Sequence, residues 1–117
     1  MLKLNHKNLD VWRISLKLIK LLYVLTEKYP NSEQYGIISQ IRRAAISTSL
    51  NIAEGSSRRT QNDRRRFYEI SRYSLVEIDT QLEISLMLEF INSSEIQDID
   101  DTINHLFAKV TNLINKT

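Results

Sequence analysis

The sequence predicts an all-α protein, an up-down-up-down antiparallel bundle of four helices. Three observations carry that prediction. Apolar side chains repeat at the helical period of about 3.6 residues, not the strand period, in every long segment. The one proline, Pro30, and the two glycines, Gly36 and Gly55, fall at breaks between segments. Those breaks are short, and short links between long helices favour antiparallel neighbours.

Four helices are expected over about 9–29, 36–54, 61–90 and 95–115, with ends good to about 2–4 residues. They form one domain over residues 1–117, of which 1–8 is expected to be a loose arm that holds His6. A chain of 117 residues can bury a core without metals or disulfides, and it has no cysteine to make a disulfide. The opening MLKLNHKNLD lacks the apolar stretch of a signal peptide. Charges interrupt every apolar run well short of the ~20 residues of a membrane span. A cytoplasmic protein is expected.

The first helix carries more apolar surface than one small bundle requires. Only Arg13, Lys17, Lys20, Val24 and Glu27 form a mainly polar line, whereas an amphipathic helix needs an apolar arc of roughly 100° or a little more. A second surface is therefore expected to cover Val11, Ile14, Leu18, Leu21 and Leu25, and a second copy of the chain is the simplest one. A homo-oligomer with this helix at its interface follows as an expectation.

The second helix ends in AAISTSLNIAEG, where Ser47, Thr48, Ser49, Asn51 and Glu54 interrupt an otherwise apolar stretch before Gly55. Read as an antiparallel hairpin with the third helix, it places Ser47 and Asn51 opposite Phe67 to Ser74. Glu54 then lies beside the arginines that open the third helix, and Arg42 or Arg43 lies beside Glu77. Small residues let two helices approach closely, and polar atoms there must satisfy one another. A structural polar network of Arg43, Ser47, Asn51, Glu54, Ser74 and Glu77 is the expectation. Glu54 alone is kept as an outside candidate for chemistry, since burial beside arginines tunes a carboxylate.

The third helix turns Phe67, Ile70, Ser74, Ile78 and Gln81 to one side, and Thr60 with Asp63 is expected to cap its start. In the fourth, Ile96, Ile99, Ile103, Leu106, Val110 and Leu113 make the cleanest stripe, and Ser94 with Gln97 reads as a capping box. Its first turns hold Glu95, Asp98, Asp100 and Asp101, which the helix dipole favours there.

The residues carry a family resemblance. The run QIRRAAISTSLNIAEGSSRRT followed by FYEISRYSLVEIDTQL, with LDVW and the YP…YG segment upstream, resembles the 23S rRNA-intervening-sequence protein family, also called four-helix-bundle proteins. The resemblance covers roughly residues 9–90. It implies an up-down bundle assembling into a homopentamer, in a family encoded within insertions in bacterial large-subunit rRNA genes and elsewhere, without an established activity. The chain is also similar to the accessory protein of diversity-generating retroelements. That protein is a basic pentamer, and the similarity implies nucleic acid and a reverse transcriptase as partners.

A net charge of +2 hides an uneven distribution. Residues 41–72 hold eight arginines against three acids, and residues 73–117 hold two lysines against eight acids. Such asymmetry speaks to partners. The sharpest feature is SSRRTQNDRRRF, which gathers Arg58, Arg59, Arg64, Arg65 and Arg66 on a loop and one helical turn. Cations at a helix N-terminus oppose its dipole, so helix stability does not ask for them. Arginine forks match phosphate, and the free amides of a first turn add to that. RNA or DNA binding without sequence specificity is the expectation, with Tyr68 and Tyr73 near enough to stack on unpaired bases.

Catalytic chemistry finds no support. There is no glycine-rich phosphate loop, no HExxH, no Glu-x-x-His pair of the di-iron bundles, and no nucleophile paired with a base. No metal and no cofactor is expected. Two readings remain beside nucleic-acid binding: a protein-interaction scaffold whose basic region meets acidic surfaces, and a hydrolase built on Glu54, which requires a water-filled pocket around that carboxylate.

Overall fold

The computed structural model describes all 117 residues and is all-α. Four helices carry the fold: α1 Asp10–Thr26, α2 Ile37–Ser57, α3 Gln61–Met87 and α4 Gln97–Lys116. Short 3-10 turns at Asn5–Asn8, Asn31–Glu33 and Ser93–Ile96 fill the joins. No helix is long and apolar enough to cross a membrane.

The pairing contacts give the up-down-up-down order directly. Between α1 and α4, Lys28 meets Glu95 and Asp10 meets Lys109, so numbers rise along one helix as they fall along the other. Between α3 and α4, Gln61 donates to the Thr117 carbonyl and Arg72 reaches Thr111. Between α2 and α3, Ser74 bonds Ser47 and Ser71 bonds Thr48. Each helix packs on the next, and α4 closes against α1.

The core is the expected stripe from each helix. Leu18 and Leu22 of α1, Ile41 and Ile52 of α2, Leu75 and Ile78 of α3, and Leu106 and Val110 of α4 are wholly buried. The termini differ from the sequence expectation in informative ways. α1 stops at Thr26, whose hydroxyl is turned back onto the Leu22 carbonyl. α2 runs through Gly55 to Ser57, so that glycine is a helical packing residue and not a stop. α3 ends at Met87, before the expected 90, because Glu89 turns left-handed at φ 62° and closes the helix. The capping box ahead of α4 is formed by Asn92 and Glu95, not Ser94 and Gln97: Asn92 accepts from the Glu95 amide and Glu95 from the Asn92 amide.

The N-terminal arm is not loose at His6. That ring is buried and stands edge-on to Trp12, 4.9 Å between centroids, so the Asn5–Asn8 turn is docked on the bundle.

The α1 residues expected at an interface lie largely in the chain's own core. Val11, Leu18 and Leu25 are buried within the chain's own core, and Ile14 and Leu21 are half-buried against it. The wide apolar arc of α1 is covered by α2 on one side, α4 on the other, and the docked arm. Only Leu16 and Val24 of this helix remain exposed among its large apolar residues.

Candidate nucleic-acid interface

The α2–α3 turn gathers five arginines at one end of the bundle, and their local chemistry separates them. Thr60 caps α3 through a 3.2 Å bond from the Asp63 amide to its hydroxyl, which sets the direction of the first turn. Asp63 makes no bond back to the Thr60 amide, so only half of the expected box forms. Arg64 folds back over the loop and donates from one Nη to the Arg59 carbonyl at 2.7 Å and, more weakly, to that of Arg58 at 3.4 Å. It closes the turn. Arg58 forms an ion pair with Glu54 at 3.1 Å, one helical turn earlier, and lies over the Phe67 ring at 4.7 Å.

Three guanidinium groups remain. Arg59 and Arg65 are exposed, with neither a carboxylate nor a hydrogen-bond partner. Arg66 is also exposed and rests over Phe67 at 4.9 Å, a cation–π contact that steadies the side chain without neutralising it. Phe67 is thus held between Arg58 and Arg66, and this sandwich orders the rim. Tyr68 is not part of it, being buried with its hydroxyl 3.0 Å from Ser56. Tyr73 is exposed two turns further along α3.

The expected polar network forms in part. Ser74 donates to Ser47 at 3.0 Å, and Asn51 donates to the Ser47 carbonyl and hydroxyl, all on the seam between α2 and α3. Ser71, which the sequence reading left out, donates to the Thr48 carbonyl at 2.8 Å in the buried centre of that seam. Glu54 does not meet the arginines of α3, since Arg58 at the end of its own helix takes it. With 48% of its side chain exposed it is no buried carboxylate, and the environment required of a catalytic Glu54 is missing. Arg43 and Glu77 line the same groove but form no ion pair.

Arg42 turns the other way. It donates to the Thr26 hydroxyl at 2.9 Å and the Tyr23 carbonyl at 3.2 Å, with its guanidinium over the Tyr23 ring. Arg72 repeats the device on α4, with the Thr111 hydroxyl at 3.0 Å and the Phe107 ring at 4.3 Å. The partners of these two clamps lie 16 and 39 residues away in sequence, so helical periodicity carries no signal for them. Of the eight arginines between 41 and 72, four are therefore committed to folding. Arg43, Arg59 and Arg65 make no such contact, and Arg66 makes only its cation–π contact with Phe67.

Residues 7–112 match the family model described as "23S rRNA-intervening sequence protein". The chain belongs to that family. No curated protein matches it in sequence. Among solved structures, it is similar to a protein of unknown function from the S23 ribosomal protein family of Bacteroides thetaiotaomicron. The TM-score is 0.78 at 20% identity, over 89% of this chain and 97% of the other. At that identity the likeness speaks for the four-helix fold alone. No catalytic family is indicated.

Proposed function

We propose that this member of the family is a non-enzymatic, homo-oligomeric bundle that binds RNA or DNA without sequence specificity through Arg59, Arg65 and Arg66. One observation carries the reading. These three cations stand unpaired at the positive end of α3, where the helix dipole disfavours them, while the neighbouring Arg58 and Arg64 are absorbed by the fold. No carboxylate neutralises any of the three, and a polyanion would. The Asp63 and Arg64 amides are taken by Thr60, which leaves the Gln61 and Asn62 amides of the first turn as further donors for a phosphate.

A closed assembly strengthens this reading. A ring of five, which the family resemblance implies, repeats the rim in each subunit, so weak single contacts combine on one strand.

The test is a salt titration of binding to single-stranded and duplex RNA and DNA. Affinity is expected to fall steeply with salt, and the triple variant Arg59→Ala/Arg65→Ala/Arg66→Ala to bind with a shallower slope. Arg64 is left in place because it closes the turn, so the variant is expected to lose no more stability than the Arg66–Phe67 contact supplies, about 0.5–1 kcal/mol. Absence of binding at low salt overturns the reading and leaves an interaction scaffold.

A further inference from the structure

Most of the apolar arc of α1 is covered within the chain, leaving Leu16 and Val24, and further uncovered apolar side chains line up on α2 and α3. α4 exposes no large apolar side chain at all. α3 exposes Tyr73, Val76, Ile84 and Met87, which with Thr80 follow intervals of three and four along the side opposite its buried Leu75, Ile78 and Leu82. A helix that faced only its own bundle would carry polar residues along that line. Here Met87 is 70% exposed and the line reads as a second seam.

The other apolar surface is a groove of about 560 Å³ between α1 and α2, open to solvent, with Tyr23, Ile38, Ile46 and Leu50 on its walls. Leu50 is 62% exposed there, and Tyr35 at the groove's end is 98% exposed.

Charge distinguishes the two surfaces. The groove holds Arg42, anchored by Thr26 and Tyr23, and Arg43, which has no carboxylate partner. The α3 line is flanked by Glu69, Glu77 and Glu83, none of them in an ion pair. An apolar ridge edged with carboxylates and an apolar groove edged with guanidinium groups are thus neighbouring surfaces of one molecule, with Arg43, Tyr73 and Glu77 lining the cleft between them.

We propose that copies of this chain join head to tail, the α1/α2 groove of one receiving the outer line of α3 of the next, with Arg42 and Arg43 set against the neighbour's acidic flank. This rests on the self-association in the proposed function and names the surfaces that perform it. Two unlike surfaces on each copy make the contact heterologous, the kind that generates rings when the rotation closes. A partner of other chemistry need not match both surfaces at once; a second copy matches both.

The experiment uses two exposed-site variants, Leu50→Glu in the groove and Val76→Lys on the ridge, with mass in solution measured at micromolar concentration. Helical content and a cooperative melt are checked first. Each variant alone is expected to weaken assembly at least tenfold, because like charges then face each other. An equimolar mixture is expected to associate again, since the ridge of the first and the groove of the second are intact. If the parent assembles and either variant assembles equally well, or the mixture stays monomeric, this contact is wrong while self-association stands. If the parent itself stays monomeric, self-association falls too; nucleic-acid binding is judged separately by the salt titration.

Discussion

Gly55 lies so close to the ring of Tyr68 that a β-carbon added to it would stand 2.6 Å from Cε1 and 3.1 Å from the Arg64 carbonyl. The contact joins the last turn of α2 to the first turns of α3, and the bond between the Tyr68 and Ser56 hydroxyls locks it from above. Both residues are buried. The absent side chain at position 55 is what allows the two helices to meet at the base of the arginine rim.

Gly55→Ala is accordingly expected to destabilise the protein. Alanine within a helix gains about 1 kcal/mol over glycine. Overpacking against a buried ring costs about 1–3 kcal/mol, and at 2.6 Å the upper part of that range applies. A net loss of about 1–2 kcal/mol should appear as a lower urea midpoint at unchanged slope. Trimming the ring should relieve it, so Gly55→Ala measured in a Tyr68→Leu background is expected to be less costly than in the parent.

Glu89 is the opposite case. Its φ of 62° places a branchless but Cβ-bearing residue where glycine usually ends a helix, and the Phe90 and Glu89 amides bond back to Ser85 and Leu86 carbonyls around it. Glu89→Gly removes a left-handed strain of about 1–2 kcal/mol and gives back part of it as chain entropy in the unfolded state. A rise of about 0.5–1 kcal/mol in unfolding free energy is the expected result, and a fall would show that Glu89 makes contacts that outweigh its backbone.

Tyr29 is buried beside Phe90, and its hydroxyl has no hydrogen-bond partner; the Ser85 hydroxyl donates to the Gln81 carbonyl. Burial pushes the Tyr29 pKa above its ordinary 10.0, and the Glu95 charge adds to the shift. A phenol held neutral by the fold contributes fully below its unfolded pKa and costs stability as pH rises past that value toward the folded one. Tyr29→Phe should therefore be neutral to about 1 kcal/mol stabilising at pH 7, because an unpaired buried hydroxyl is removed. Its advantage should widen in melts above pH 10. An advantage that shrinks there contradicts the assignment.

Glu95 contributes on the acid side. The Asn92 amide donating at 3.0 Å, and then Lys28 at 3.2 Å, hold its pKa below the ordinary 4.5. The folded state thus favours the carboxylate, so its contribution is complete above the unfolded pKa and is lost as pH falls through the folded value. Urea midpoints of Glu95→Gln are expected to lie below the parent's at pH 7 and to converge with them on acidification below about pH 4. Asn92→Ala, which removes the other half of the box, should cost about 1 kcal/mol at pH 7.

The sequence by itself determined the four helices, their antiparallel order and the approximate facing of α2 on α3, because helical period and link length are local properties. Ser47 and Ser74 could be set opposite each other from the position of a turn between them. The stop at Glu89 was not legible, since no glycine marks it, and Asn92 took the cap from Ser94 because the chain turned two residues sooner. What only the tertiary structure decided was cover. The arc of α1 is wide, yet Val11, Leu18 and Leu25 disappear beneath α2, α4 and the arm, whereas Tyr73, Val76 and Leu50 stay in water. It also decided which arginines are free: Arg42 and Arg72 found hydroxyls and rings on other helices, and Arg64 found the carbonyls of its own turn. Burial and pairing depend on where distant segments come to lie, and no period along a single helix encodes that.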